Sequence, residues 1–137
     1  MFDQQKSDAE DTKAAHQGFG ETTQKTIIET AKGAIAVYPR LETPLESASD
    51  FLDLMMNAGA DTIALHKNDF ADSFYDLKTG VAGEILQKLS NYDKRLIIIG
   101  DFSSPAKKSL RDFIFESNRT GKVVFVASLE EGIATLR

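Results

Sequence analysis

The sequence contains no cysteine, and this absence removes several kinds of chemistry at once. Without a thiol in any of the 137 residues, disulfides, thiol nucleophiles and thiolate metal sites are all excluded. The chain also has no apolar run near the roughly 18 residues that a membrane helix needs. Its first residues lack the basic flank and apolar stretch of a signal peptide. We therefore expect a cytoplasmic protein that does not insert into a membrane.

An excess of positive charge is missing as well. The chain has 21 acidic and 16 basic residues, which gives a net charge of −5, whereas a general nucleic-acid binder needs a basic surface. Neither of the glycine-rich nucleotide-binding patterns is present, and the Gly-Val-Ala-Gly run at residues 80–83 does not match one. We predict no nucleic-acid partner, no nucleotide or other cofactor, and no resident metal.

The N-terminal segment differs in composition from the rest of the chain. Residues 1–24 are rich in Asp, Gln, Lys, Thr and Gly, with Phe2 and Phe19 as their main apolar groups. Such a segment buries too little apolar surface to offset its chain entropy. We expect a disordered tail over residues 1–24, in which His16 is solvated, and a single folded domain over residues 25–137.

Short β-branched and apolar segments alternate with helical patterns through the folded part. Two of these segments flank the turn Ala31-Lys32-Gly33 and predict a hairpin. The run Arg95 to Asp101 is apolar without alternation, which indicates a strand that is buried on both faces or lies centrally. Strands are expected at residues 26–30, 34–38, 62–66, 95–101 and 122–127.

Four helices are expected, one after each strand from the second onward. The first has two competing starts, Thr43-Pro44-Leu45-Glu46 and Ser47-Ala48-Ser49-Asp50. Ser104, followed by proline, is expected to cap the third helix, and Ser128 with Glu131 forms a capping box for the last. The predicted fold is therefore an α/β domain in the order ββαβαβαβα, with a mixed, mostly parallel sheet of about five strands.

The turn that enters the second helix is the first candidate site. Asp76, Thr79 and Gly80 form its polar entrance, and Gly83 and Glu84 follow in the first helical turn. One interpretation is structural, with Asp76 or Thr79 as the helix cap and the glycines allowing close packing. The other is that the turn presents the helix to a partner, with modification of Thr79 as a switch, since a phosphate there adds charge beside the positive end of the helix.

Polar residues at the ends of neighbouring strands form the second candidate site. His66, Asp69, Asp101 and Ser103 all follow apolar strand runs, at the edge where open α/β sheets bind ligands. His66 is a candidate base oriented by Asp69 or Asp101, with Ser103 as nucleophile. The two aspartates are alternatively ligands for a hard cation. The nucleophile-elbow pattern is absent and aspartates after strands commonly cap turns, so the sequence favours a non-catalytic role.

Several separated motifs resemble the family described as domain of unknown function 4180. The longest is Phe-Tyr-Asp-Leu-Lys-Thr-Gly-Val-Ala-Gly-Glu-Ile-Leu-Gln-Lys, at residues 74–88. The others lie at residues 91–92, 99–103, 109–114 and 116–119. They occur in the family's order across nearly all of residues 25–137. This resemblance implies a shared fold but assigns no activity.

The order of elements also resembles STAS domains, the antagonists of anti-sigma factors and their relatives. In those domains a phosphorylatable Ser or Thr opens the helix after the third strand, next to an acid and a glycine. Asp76, Thr79 and Gly80 occupy a comparable place, although Leu77 and Lys78 separate the acid from Thr79. The resemblance implies a regulatory domain whose partner is another protein. We expect the chain itself to be a monomer or a weak dimer.

Overall fold

Residues 24–105 and 107–137 are described by the computed structural model. The expected disordered tail at residues 1–24, with His16, lies outside the described residues except for Gln24. No helix in the described ranges is long and apolar enough to cross a membrane.

The structure contains a five-stranded sheet that is mostly parallel, as predicted. Its strands lie in sequence order across the sheet. The first two pair antiparallel as a hairpin, and every later neighbour is parallel. The strands are β1 (Thr26–Thr30), β2 (Gly33–Val37), β3 (Thr62–His66), β4 (Arg95–Ile99) and β5 (Val123–Val126).

Within the described residues, five α-helices accompany the sheet, one more than predicted. The additional one is short, four residues between β3 and the helix that we expected there. The order over the described residues is therefore ββαβααβαβα rather than ββαβαβαβα. The helices are α1 (Ala48–Met56), α2 (Asp72–Tyr75), α3 (Val81–Asn91), α4 (Lys108–Thr120) and α5 (Leu129–Thr135).

The sequential strand order places the crossover helices together. Successive right-handed connections that move in one direction across a sheet put their helices on the same face. The larger apolar cluster accordingly joins one face of the sheet to α1, α3 and α4. The smaller cluster lies on the other face, where α5 and Leu136 cover it. Leu96 and Ile98 of β4 point into the first cluster and Ile97 into the second, which explains the unbroken apolar run of this strand.

The first helix begins at the second of its two predicted starts. Ser47 is the N-cap, and its hydroxyl accepts a hydrogen bond from the Asp50 N–H. The first start fails because Leu45 pairs with a loop instead: its N–H donates to the Asp69 carbonyl and its carbonyl accepts from Ala71. Backbone groups already bonded to a distant segment cannot begin a helix.

Two other details of the helices differ from the prediction. The helix expected to begin after Ser104 begins at Lys108, so Ser104 is not its cap. The helical spacing of Ile85, Leu89 and Tyr92 predicts that all three lie on one apolar face of α3; Ile85 and Leu89 are buried, but Tyr92 ends the helix with 46% of its surface exposed. The last helix matches better, since the Ser128 hydroxyl accepts from Glu131 N–H.

Candidate functional site

The hydroxyl of Thr79 joins the three segments that meet at the entrance to α3. It lies 2.6 Å from the carbonyl of Ser73 and 2.9 Å from that of Asp76, and it accepts from the Val81 N–H at 3.2 Å. A hydroxyl has a single hydrogen, so the two carbonyls share one donor. Thr79 thereby links α2, the 3-10 turn Leu77–Thr79 and the first residue of α3.

Capping at this turn is divided among Asp76, Gly80 and Thr79, whose hydroxyl accepts from the Val81 N–H. The Asp76 carboxylate accepts from Lys78 N–H at 3.3 Å and so caps the 3-10 turn, not α3. Gly80 is the N-cap of α3 and has a left-handed backbone with φ of +83°. Left-handed conformations carry little penalty for glycine alone. Gly80 therefore lets the chain reverse between the 3-10 turn and α3.

Most of this turn faces solvent. Asp76, Lys78 and Thr79 are exposed, as are Gly83 and Glu84 in the first turn of α3. A methyl group placed on Gly83 would meet no atom within 4 Å, so the packing interpretation of Gly83 is wrong. The turn is anchored from beneath by Phe74, which is buried in the larger cluster, and by the partly buried Leu77. We call residues 76–84 the α3 corner, whose exposed members are Asp76, Lys78, Thr79, Gly83 and Glu84.

Asp69 of the second candidate site is used to hold backbone together. Its side chain is 1% exposed. One carboxylate oxygen accepts from Leu41 N–H at 2.9 Å and the other from His66 N–H at 2.8 Å. The Nδ1 atom of His66 lies 3.5 Å from the second oxygen and makes no hydrogen bond. This carboxylate is therefore a structural tie between the loop at Leu41 and the end of β3, and each of its oxygens already accepts one backbone hydrogen bond.

Tyr75 and Lys67 reinforce the same loop, although sequence reasoning did not single them out. The Tyr75 hydroxyl donates to the Lys67 carbonyl at 2.6 Å. Burial and then the negative charge of Asp69 raise the pKa of Tyr75 above its ordinary value, so the phenol remains a neutral donor. The Lys67 ammonium donates to the Asp101 carbonyl at 2.7 Å and lies 5.1 Å from the centre of the Phe102 ring.

Asp101 and Ser103 form a compact turn after β4. One Asp101 oxygen accepts from the Ser103 hydroxyl at 2.7 Å and from Ser103 N–H at 3.0 Å. These two bonds, with a smaller effect of Lys67, hold the pKa of the Asp101 carboxyl below its ordinary value. The hydrogen of the Ser103 hydroxyl is thus directed at the Asp101 carboxylate and not at an imidazole.

The strand ends border two open clefts. A larger one of about 570 Å³ is lined by Asp101, Ser103, Asn118 and Glu131 among others. A smaller one of about 230 Å³ lies between Lys67, Tyr75 and α4. Neither includes His66 or Asp69 in its lining. The four predicted edge residues therefore separate into two pairs: near β3, Asp69 is buried and His66 is partly exposed, whereas Asp101 and Ser103 are exposed in the larger cleft.

Carboxylates and histidines do not gather further in the described part of the chain. Within residues 24–105 and 107–137, no group of three or more of them lies close enough to hold a metal ion.

A family model described as "Domain of unknown function (DUF4180)" matches residues 30–136. The match spans both candidate sites, all five helices, and β2 to β5 completely. Neither a curated protein nor a solved structure matches the chain.

Proposed function

The chain belongs to the DUF4180 family, whose description supplies no activity, and from the geometry we propose that it is a regulatory protein-interaction domain. Its partner is another protein that contacts the α3 corner, and modification of Thr79 switches the contact. The proposal includes a STAS-like character and a cytoplasmic location, as expected from the sequence. The observation that carries it is the set of hydrogen bonds made by the Thr79 hydroxyl at an exposed position.

A switch residue has to be reachable by an enzyme and also has to matter to the local structure. Thr79 combines the two properties, because it is exposed while its hydroxyl joins α2 to α3. Phosphorylation converts the hydroxyl oxygen to an ester and removes its hydrogen, so the bonds to Ser73 and Asp76 are lost. The added negative charge lies one residue before the left-handed Gly80 and beside the free N–H groups of α3. Modification would therefore change the conformation of the α3 corner as well as its charge.

The surface around Thr79 is suited to a reversible contact. The exposed side chains of the α3 corner are polar or charged, with Asp76, Lys78 and Glu84 among them. Reversible interfaces are about as polar as ordinary protein surface, whereas permanent ones bury a more apolar patch. The position of the corner after the third strand agrees with the place of the switch residue in STAS domains.

The switch is tested in two steps. Mass spectrometry of the protein from its native cells would detect a phosphate on Thr79. Capture of partners is then compared among the unmodified chain, Thr79→Glu and Thr43→Glu. Thr43 is exposed in a loop and makes no hydrogen bond through its side chain among the described residues, so it controls for added charge alone. We expect Thr79→Glu to change the captured set and Thr43→Glu to leave it unchanged.

Thr79→Ser supplies a further control, because it retains the hydroxyl and should bind as the unmodified chain does. If Thr79 is never modified and Thr79→Glu captures the same partners as the other chains, the switch is refuted. If Thr79 is modified but no partner responds to the substitution, the corner is not the interface.

The second candidate function is small-ligand binding in the larger cleft, and the exposed Asp101–Ser103 turn in its lining favours it. Catalysis through a His66–Asp69 pair is less well supported, since both oxygens of the buried Asp69 carboxylate already accept backbone hydrogen bonds and Asp69 does not line the cleft. Ligand binding is tested by NMR screening of small polar compounds. Compounds that shift the amide signals of Gly100, Ser103 and Glu131 together would support ligand binding in this cleft, and an absence of such compounds would refute it.

A further inference from the structure

The two edges of the sheet differ in whether their outward backbone groups have hydrogen-bond partners. At the β5 edge, the side-chain amide of Asn118 bonds to the N–H and the carbonyl of Phe125, at 2.7 and 3.1 Å. The Glu131 carboxylate accepts from Ala127 N–H at 3.0 Å. At the β1 edge, by contrast, nothing within residues 24–105 and 107–137 pairs with the outer backbone groups. Open edges are the positions where sheets recruit another strand.

The hairpin geometry determines which backbone groups of β1 point outward. Thr30 and Gly33 are opposite each other across a two-residue turn, and such a closing pair is hydrogen-bonded. Alternation along an antiparallel ladder then directs the N–H and carbonyl of Ile28 toward β2. The same groups of Ile27 and Glu29 point away from the sheet. Continuing the alternation, so do those of Lys25, which is exposed just before the strand.

The side chains on this edge form a self-complementary row. Lys25, Ile27 and Glu29 are at alternate positions, so they project from one face of the strand. All three are exposed, and Ile27 has 43% of its surface in solvent. The order is positive, apolar, negative. When such a row meets its own copy in the antiparallel direction, each positive end faces a negative end.

We propose that β1 pairs antiparallel with β1 of a second copy of this chain, about a two-fold axis at Ile27. In this register Ile27 faces Ile27 of the second copy, and Lys25 faces its Glu29 on both sides of the axis. All three opposed positions have outward backbone groups, so each forms a hydrogen-bonded pair. The result is a continuous ten-stranded sheet, with an apolar contact at the centre and two ion pairs flanking it.

Other registers lose these contacts. A shift that centres the axis on Glu29 places two carboxylates opposite each other, which is unfavourable. A shift that centres it on Ile28 places Ile27 opposite Glu29 and leaves Lys25 opposite Ala31. The charge pattern therefore favours a second copy of the chain as the partner of the β1 edge, and it also determines the register of pairing. Because five-residue strands bury less than the roughly 1,200 Å² of a stable complex, the dimer is weak and depends on concentration.

Sedimentation equilibrium of the full chain, from micromolar concentrations to about 1 mM, measures the association. We expect Lys25→Glu and Glu29→Lys each to weaken it about tenfold, because symmetry turns both flanking ion pairs into like-charge pairs. The double variant Lys25→Glu/Glu29→Lys should regain the original affinity. An equal mixture of the two single variants should also form heterodimers, since its charges are again complementary. The matched charge controls are Lys107→Glu, at the N-cap of α4, and Glu130→Lys, on α5, both near the far edge of the sheet.

Ile27→Pro gives an independent test, because proline removes an outward N–H and leaves the bonds to β2 intact. It should abolish association while circular dichroism shows a folded chain; if it unfolds, the charge variants decide the matter. A chain that stays monomeric to about 1 mM overturns the proposal and leaves the edge to a strand of another protein. Association that ignores the charge reversals, or is not restored in the double variant, overturns it equally. This inference does not depend on Thr79 or on the α3 corner.

Discussion

The side-chain amide of Asn118 bonds to both backbone groups of Phe125, so that a residue of α4 completes the outer edge of β5. The two bonds reproduce the pattern that a sixth strand would make at this position. They also connect α4 directly to the strand that follows it.

Removal of this amide should destabilise the domain. In Asn118→Leu the similar volume is kept, but the N–H of Phe125, which belongs to a residue only 3% exposed, loses its partner. We expect a loss of about 1–3 kcal/mol in the free energy of unfolding, because an unsatisfied buried donor carries its desolvation penalty. Urea unfolding measures it. Asn91→Leu is the control: among the described residues its side chain bonds to Gln87 alone, on the surface, and a comparable loss there would contradict the explanation.

Asp69 should behave as a structural residue rather than a catalytic one. In Asp69→Asn only one oxygen remains, and the new NH₂ group faces a backbone N–H that formerly had an acceptor. We expect about 1–3 kcal/mol lower unfolding free energy, measured by urea titration. His66→Ala should have a smaller effect, since 37% of the His66 side chain is exposed and its buried Nδ1 atom makes no hydrogen bond. Equal losses in the two variants would show that the imidazole contributes to the tie.

Replacement by alanine should lower the unfolding free energy at Gly80 and raise it at Gly83. Gly80→Ala forces an L-residue into a left-handed conformation, with φ of +83°, and should lower the unfolding free energy by about 1–2 kcal/mol. Gly83→Ala lies inside α3 with open space around it, and should raise it by roughly 0.5–1 kcal/mol through helix propensity. Thermal unfolding of both variants checks this. Destabilisation by Gly83→Ala would indicate a contact that the fold does not show.

Stability should fall at high pH because of Tyr38. Burial raises the pKa of Tyr38 to about 12, whereas a tyrosine in the unfolded chain ionises near pH 10. The folded state holds its proton longer, so the contribution is fully present below about pH 10 and is lost as the pH rises through about 12. We expect Tyr38→Phe to flatten the decline of unfolding free energy over this window. Denaturant unfolding at several pH values measures the difference, and parallel curves for the two proteins would contradict it.

The candidate site was predictable to different degrees in its two halves. Asp76, Thr79 and Gly80 were recognisable because capping and turn residues act on their immediate neighbours in the chain. The arrangement of the polar residues at the strand ends was less predictable. The partners of Asp69 include the backbone of Leu41, 28 residues away, and no local sequence pattern indicates such a bond. The same applies to Asn118, whose place in a family motif drew attention to it without indicating Phe125 as its partner.

By itself, the sequence determined the five strands, most of the helices and the parallel character of the sheet. These follow from local apolar periodicity, turn residues and connection length, which act over a few residues. Only the tertiary structure decided that Ser47 and not Thr43 caps α1, that Asp69 is buried, and that one sheet edge is closed while the other is open. Each of these depends on which remote backbone groups compete for the same hydrogen bonds, and that competition is resolved only when the segments pack together.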